Sequence, residues 1–593
     1  MEEYKVNFLS KVSDYFWSQT QKDGRLVCSK HKVEHTGKNV YSIFIDSKLS
    51  QVTKDDKYFE RARLRALRTV ENLRLDPDYE YWIFYPGRLN PRNMANSIID
   101  GGACVDSLVH FLEVFGGKIE REEKENILDA IFKHCDTYLK TTSVEKDITN
   151  QRLWGATGLA SGYRLFQEPS WKKALMESLE RSFAEGKSDG SFFYDPNYRD
   201  YGIFQGIYDV TTYYHSRCIA FAFHILEELN LVNQHLDKLT KGLDFLIGMY
   251  QPNGVKNLCL ETKRWYWKST YEVASHAFDI YALIKGFEWT NTEVYEVYAR
   301  KAFRNILGHQ LPDGGITSHH GKQDNFQCRI FWNGHLAWLA KVLERVEPET
   351  TEVPLDSSVF YQVFPDTQLV KFENANISAI LRGNKAPMNV GWGCPVGGGS
   401  LLYFGSGRNA WRNELTVREW TPYIDNNFIF IISVRDEILN LVKLAKQFFK
   451  VNKKDLGRGR AFFSFGFFKD TLLRFLSEVR SVSTTHWATE CEMLKTEREC
   501  KFTLHPSRRD GNSILNGVTV ERSYRFEDEE LLVEENVHCQ ARGNIRLTRY
   551  KLNQICRGVS VETNCKLKRQ GELLSFKPYK DIPPKIVIKY KLK

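Results

Sequence analysis

Five consecutive residues, Tyr213-Tyr-His-Ser-Arg217, carry two phenols, an imidazole and a guanidinium. A phenol or imidazole can take or give a proton, and a guanidinium can grip a carboxylate through two parallel hydrogen bonds. Upstream, Asn150-Gln-Arg152 adds amides and a second guanidinium, and Trp154 follows at once. Together these groups fit one reaction on a uronic-acid sugar. β-Elimination removes the C5 proton beside the carboxylate and expels the oxygen on C4. The carboxylate must be neutralised as charge builds, which is the task of an oxyanion hole. Asn150 and Arg152 are the expected neutralisers; Tyr214 and His215 are the expected base and acid, in either assignment. No metal is required. Plainer uses compete: Tyr213 as core, His215 as a capping residue, Asn150 as a helix N-cap.

Further candidates are expected to line the same hollow as substrate-binding groups: Trp154, Tyr213, Arg217, His276, His319, Arg329, Trp332, Asn333 and His335. His276 and His335 follow His215 at steps of about 60 residues, although a buried core histidine explains each equally well. The stretch His319-His-Gly-Lys-Gln-Asp324 is a weak metal signature; with Arg329 nearby, it suits an anionic substrate better. Hydrolysis is the competing chemistry and normally needs two carboxylates. Asp209 and Glu272 could form such a pair, but no acid pair recurs. A carbohydrate-binding protein that lost the chemistry is the third reading. The run Pro395-Val-Gly-Gly-Gly399 lacks the following Lys-Ser/Thr of a phosphate loop and reads as a turn.

These groups lie far apart in the chain, so the elements must bring them together. Five polar clusters each run into an apolar helix rich in small residues. They start at Asn96, Asn150, Tyr213, Glu272 and Trp332, spaced 54, 63, 59 and 60 residues apart. Asp189-Gly, Asn253-Gly and Asp313-Gly precede the last three clusters by about 20 residues. A 60-residue period fits a helical hairpin plus a long loop, whereas solenoid repeats are typically about 34–47 residues. With an N-terminal helix pair, the expected architecture is an (α/α) toroid of about six hairpins. In a toroid the inner helices point the same end toward one cleft, so scattered clusters converge.

Past Pro354 the texture changes to short alternating runs: Ser357–Phe364, Ile377–Arg382, Leu401–Phe404, Phe428–Val434 and Ile586–Leu592. Val520–Phe526 and Leu531–Val537, joined by an acidic turn, read as a hairpin. An amphipathic helix is expected after Asp436. The polar segment Glu347–Pro354 is the linker, which gives a catalytic toroid over 1–348 and an antiparallel β-sandwich over 349–593.

Of 593 residues, 42% are hydrophobic and 26% charged, an ordinary globular composition. The 13% aromatic content suits sugar stacking as well as packed cores. A net charge of +9 suits an anionic polysaccharide or oligosaccharide. No zinc knuckle, bZIP or RNP pattern points to nucleic acid. The 12 Cys are scattered without a CxxC pair, so neither a disulfide framework nor a structural zinc site is expected. No signal peptide or membrane span is recognisable, so a cytoplasmic location is expected, or a secreted or periplasmic one if a leader was removed. No cofactor is expected, with a divalent ion in the β half left open; oligomeric state, uronic acid and linkage are not set by the sequence.

This organisation resembles the polysaccharide lyases of the chondroitin-AC-lyase and heparinase II/III-like type. The likeness rests on the Asn150-Gln-Arg stretch, the Tyr213-Tyr-His-Ser-Arg stretch and the hairpin from Arg522. It implies that Asn150 neutralises the carboxylate while Tyr214 and His215 transfer protons. It also implies that the β-domain lends groups such as Trp392, Arg408, Trp411 or His486 to the cleft.

Overall fold

In the computed structural model, the described residues are 1–27, 34–75, 95–195, 212–252, 254–257, 271–273, 275–317, 329–347, 360–383, 399–406, 426–431, 481–483, 490–496, 498–505, 507–508, 518–527, 530–539, 545–551, 558–564, 566–570, 573–577 and 585–591. They form an α-helical part followed by antiparallel sheets, and the chain groups into two compact units. The first unit draws on 1–197, 213–247 and 272–353; the second draws on 198–212, 248–271 and 354–593.

The helices of the first part are α1 (Glu3–Trp17), α2 (Thr36–Thr53), α3 (Asp56–Leu75), α4 (Ala95–Phe115), α5 (Arg121–His134), α6 (Lys140–Glu145), α7 (Thr149–Phe166) and α8 (Pro169–Ala184). They continue with α9 (Thr212–Glu228), α10 (Val232–Gly248), α11 (His276–Thr290), α12 (Glu293–Gly308), α13 (Arg329–Gly334) and α14 (Leu336–Ala340). Two kinds alternate. α7 buries every residue from Thr149 to Gly162, and α11 every residue from His276 to Ile284. By contrast, α8 buries only Trp171, Ala174, Leu175, Ser178, Leu179 and Ser182, one stripe at helical spacing. A helix buried all round is an inner element; one with a single stripe faces water.

Glycines let inner helices approach closely. A Cβ on Gly102 of α4 would lie 2.1 Å from the Trp154 carbonyl oxygen of α7, and one on Gly158 would lie 2.5 Å from the Gly102 oxygen. The inner helices follow one another in space. α2 packs on α4 and α4 on α7. Phe221 of α9 then lies 5.1 Å from Trp154 and 5.5 Å from Phe278 of α11. Phe278 lies 5.6 Å from Trp338 of α14, and α13 and α14 pack back on α2.

A tight turn recurs after alternate helices. After α1, Gln21 N–H donates to the Arg25 carbonyl at 2.8 Å and Gly24 N–H to Gln21 at 2.9 Å. The same pair of bonds closes Lys187–Ser191, Gln251–Val255 and Leu311–Gly315. Each turn places its glycine at positive φ, between 74° and 90°, where a side chain is strained. Three copies correspond to the Asp-Gly and Asn-Gly landmarks read from sequence, although Asn253 itself lies outside the described residues. The copy at Asp23-Gly24 was not among the landmarks.

In the second part the strands are β1 (Phe360–Phe364), β2 (Leu369–Glu373), β3 (Ile377–Arg382), β4 (Ser400–Ser406), β5 (Asn426–Ile431), β6 (Ser481–Ser483), β7 (Glu490–Lys495), β8 (Glu499–His505), β9 (Ser507–Arg508) and β10 (Val518–Phe526). They continue with β11 (Glu530–Cys539), β12 (Ile545–Lys551), β13 (Gly558–Thr563), β14 (Lys566–Gln570), β15 (Leu573–Lys577) and β16 (Lys585–Lys591). Three antiparallel sheets result, ordered β1-β2-β3-β4, β13-β16-β11-β10-β8-β7 and β9-β6-β5-β12-β15-β14. The expected hairpin is β10–β11, pairing Val520 with Val537 and Phe526 with Leu531. Phe372 of β2 stacks on Phe526 of β10 at 4.2 Å, which joins the first two sheets. Beneath that stack, buried Arg522 donates to Glu535 at 2.8 Å and to the Gly399 carbonyl at 3.1 Å. The helix expected after Asp436, most of the Glu347–Pro354 linker, Pro395–Gly398 and the candidates Trp392, Arg408, Trp411 and His486 lie outside the described residues.

Candidate active site

The polar clusters sit in the opening turns of the inner helices, and the side chains of several do meet. Trp154, in the second turn of α7, is 1% exposed and donates its indole N–H to the Tyr41 hydroxyl of α2 at 2.6 Å. The Arg217 guanidinium of α9 lies 5.6 Å from the Trp154 ring, 3.4 Å from Tyr213 and 5.4 Å from Tyr214. Trp332 of α13 meets Tyr213 edge-on at 5.8 Å, and the His335 ring lies 5.9 Å from both Trp332 and Trp154. Starting turns of helices carry unpaired N–H groups and partial positive charge, which favours an anion nearby.

Tyr214 stands apart, because it is only half-buried while Tyr213, His215 and Arg217 are sealed. Its ring rests on that of Tyr194 at 4.4 Å. Tyr194 lies just beyond the turn at Gly190, and its carbonyl accepts from the Thr149 N–H at the start of α7. Sequence reasoning missed Tyr194. Its signal was the Asp189-Gly landmark, which was read as punctuation rather than as a carrier of site groups. Asn150, the second residue of α7, is 1% exposed, and its Oδ1 has no hydrogen-bond partner among the described residues.

Other candidates are committed elsewhere. Arg152 is fully buried and turns outward: it pairs with Glu185 and donates to the Lys146 carbonyl at 2.7 Å and to Ser182 at 3.1 Å. Its guanidinium fastens α7 to α8, which corrects the expectation that it faces a ligand. His215 is likewise structural in its bonding. Its Nε2–H donates to the Gly242 carbonyl of α10 at 2.9 Å, while Nδ1 accepts from the Phe192 N–H at 3.4 Å. Both bonds together require the Nε2–H tautomer and occupy both ring nitrogens. Asn333 pairs with both backbone groups of Ile316, at 2.8 and 3.1 Å, and Arg329 clasps Asp313 bidentately at 2.6 and 2.7 Å. These two hold α13 against the Gly314 turn. His276 is buried with Asp279 3.7 Å away, inside the helix layer. His319 lies outside the described residues.

The sequence reading also missed Lys38 and the partnership it makes with Asp100. Lys38 of α2 is fully buried with its ammonium 4.3 Å over the Trp154 ring. Across from it, Asp100 of α4 is also fully buried. Burial pushes the Asp100 carboxyl up to about 7, against the pull of Lys38 and the Gly37 backbone N–H. Burial likewise pushes Lys38 down to about 8; Asp100 opposes that shift and Arg217 adds to it. Gly37 is required by this approach, since a Cβ there would fall 2.2 Å from Asp100 Oδ1.

Farther along the same helices lies a second buried network. Lys341 donates to Asp106 of α4 at 2.7 Å, Ser161 of α7 donates to Asp106 at 2.9 Å, and His224 of α9 lies 3.1 Å from Ser161. Burial pushes the Asp106 carboxyl up, but Lys341 and then His224 outweigh it and hold the group below its ordinary value. Burial, followed by Lys341, presses His224 down to about 3. Among the described residues no three His, Cys, Asp or Glu side chains group as a metal site, and no helix is long and apolar enough to cross a membrane.

Compared with solved structures, the chain is similar to heparinase III, with a TM-score of 0.51 at 11% identity over 100% of this chain and 85% of that one. A second heparinase III gives 0.49 at 12% identity, covering 100% and 85%. The heparan sulfate lyase HepC of Pedobacter heparinus gives 0.47 at 11%, covering 94% and 74%. No protein-family model matches the sequence, and no curated protein does. The fold, an α-helical part plus antiparallel sheets, is thus similar to that of heparinase III.

Proposed function

We propose that this protein is a polysaccharide lyase that cleaves a uronic-acid-containing polysaccharide or oligosaccharide by β-elimination. The observation that carries the reading is Tyr214, a half-buried phenol stacked on half-buried Tyr194 at the edge of a sealed aromatic cluster, with the Arg217 guanidinium 5.4 Å from its ring. A phenol can take and give a proton, and the Tyr214 ring is within reach of solvent while Tyr213 is not. The Asn150 amide, in the opening turn of α7, neutralises the substrate carboxylate.

In the proposed step Tyr214 takes the C5 proton, the C4–C5 double bond forms, and the C4–O bond breaks with its electron pair on oxygen. Tyr214 then returns the proton to that oxygen, so one phenol serves as base and acid in turn. Two features narrow the roles to these residues: Arg152 is spent on Glu185, and His215 is spent on backbone. The helices form a closed (α/α) toroid over 1–348 in this reading, since α13 and α14 return to α2, and the sheets over 349–593 form a β-sandwich. No cofactor enters the step, and the partner is an anionic glycan.

The test is incubation with polymers of glucuronate, galacturonate and mannuronate, following near-ultraviolet absorbance and reducing ends together. A lyase produces both signals, because its new double bond is conjugated with the carboxylate. Reducing ends without absorbance would make the protein a hydrolase, and neither signal on any polymer would reject the reading.

A further inference from the structure

Lys38 and Asp100 are both fully buried, on neighbouring inner helices, and neither has a place in the elimination step. Among the described residues no side chain donates a hydrogen bond to either oxygen of Asp100, which faces the Gly37 backbone N–H. Sealing a carboxylate this way costs free energy unless the charge does something in place. Its surroundings indicate what. The Lys38 ammonium sits on the Trp154 indole, whose ring is also 5.6 Å from Arg217, and Arg217 lies against Tyr213 and Tyr214. Any charge held on the pair therefore acts on the candidate site through a few ångströms of apolar medium, where screening is weak.

Resting on the function proposed above, we infer that Lys38 and Asp100 form a proton-operated charge that tunes the site toward acidic sugars. With both groups protonated the pair carries one positive charge; with the ammonium alone protonated it is neutral; with neither protonated it is negative. The ordinary order of these losses is compressed, since Asp100 is raised to about 7 and Lys38 lowered to about 8. Other groups face the pair. From α2 there is Tyr41; from α4, Cys104; from α9, Arg217; and across the Trp154 ring, His335 of the α13–α14 junction. Burial drives the Tyr41 and Cys104 groups well above their ordinary values, so those two stay neutral across this range. An anion bound beside the pair favours its more protonated forms, so binding must take up protons and must strengthen as pH falls; the two effects are one linkage.

The test is calorimetric titration of the whole protein with tetrasaccharides of glucuronate, galacturonate and mannuronate, each beside its carboxyl-reduced counterpart, at pH 6, 7 and 8 and in buffers of different ionisation enthalpy. For the acidic probe that binds, affinity should rise on the order of tenfold from pH 8 to pH 6 with net proton uptake, while the reduced probe should show neither. The double variant Lys38→Met/Asp100→Asn removes both charges without leaving one unpaired, and should abolish the uptake and flatten the profile. Asp100→Asn alone leaves Lys38 to titrate without its counter-charge, so the rise should persist with its midpoint moved to lower pH. Persistence of uptake in the double variant overturns the inference and leaves the lyase reading standing. Failure of every acidic probe to bind the unaltered protein overturns both.

Discussion

His215 and Tyr214 are adjacent, yet their surroundings predict opposite consequences of substitution. His215→Ala would strip the Gly242 carbonyl of its donor and the Phe192 N–H of its acceptor, both in a place with no exposure. Each buried backbone group left unpaired costs about 1–3 kcal/mol. The missing ring also leaves a void beside Phe245, whose centroid is 4.9 Å away. The two groups come to about 2–6 kcal/mol before the void is added, the order of large-to-small core substitutions at about 3–5 kcal/mol. Tyr214→Phe, by contrast, loses one hydroxyl from a half-buried ring that keeps its contacts with Tyr194 at 4.4 Å and Tyr213 at 5.1 Å. Its stability should change by less than about 1 kcal/mol, while turnover should fall about 100-fold or more. Urea unfolding followed by circular dichroism, with initial rates of absorbance gain on the cleaved polymer, measures both quantities. A normally stable His215→Ala protein with a 100-fold slower rate would refute this reasoning and return His215 to proton transfer. So would a Tyr214→Phe protein with near-normal turnover.

Asn150→Ala should lower turnover about 10²–10³-fold, as loss of an oxyanion-type donor does, with little change in the unfolding midpoint. Lys341→Met would leave Asp106 a buried carboxylate without its cation and should cost about 3–5 kcal/mol in urea unfolding. That variant should also change sign with pH. In the unaltered protein the Asp106 carboxyl is held below its ordinary value, so its contribution is present at neutral pH and is lost as pH falls through the folded-state value. Without Lys341, burial raises the group, and stability should instead fall as pH rises above about 4. Gly314→Ala should cost about 1–3 kcal/mol for backbone strain alone, because φ is 90° there and the new Cβ would meet the Lys11 carbonyl oxygen at 2.1 Å; a thermal melt reads it directly.

The repeat was legible because it is written in spacing. Polar clusters about 60 residues apart, each opening an all-round buried helix, mark inner elements whatever their side chains do. The hairpin of β10 and β11 was equally legible, since alternation with an acidic turn leaves one register open. One copy of the pattern escaped. His35-Thr-Gly-Lys-Asn39 opens α2 as the other clusters open theirs, 59 residues before Ala95, and it carries Lys38. Its preceding Asp23-Gly24 turn matches the other three bond for bond.

The roles of individual side chains were less legible, for a reason that follows from helix geometry. The opening turn of an inner helix faces several ways at once, toward neighbouring inner helices and toward the outer helix. Consecutive residues are about 100° apart around the axis. Asn150 and Arg152 therefore point in different directions although they read as one motif, and the arginine goes to Glu185 on α8. Tyr214 and His215 diverge the same way, the phenol to Tyr194 and the imidazole to α10. A polar cluster at such a position must supply both fastenings and site groups, because the helix start leaves backbone donors that need partners and an end that needs anchoring. Composition alone gives the two kinds the same appearance. Rotation about the helix axis separates them, and it predicts that in each repeat only the residues sharing the azimuth of Trp154 and Arg217 belong to the site.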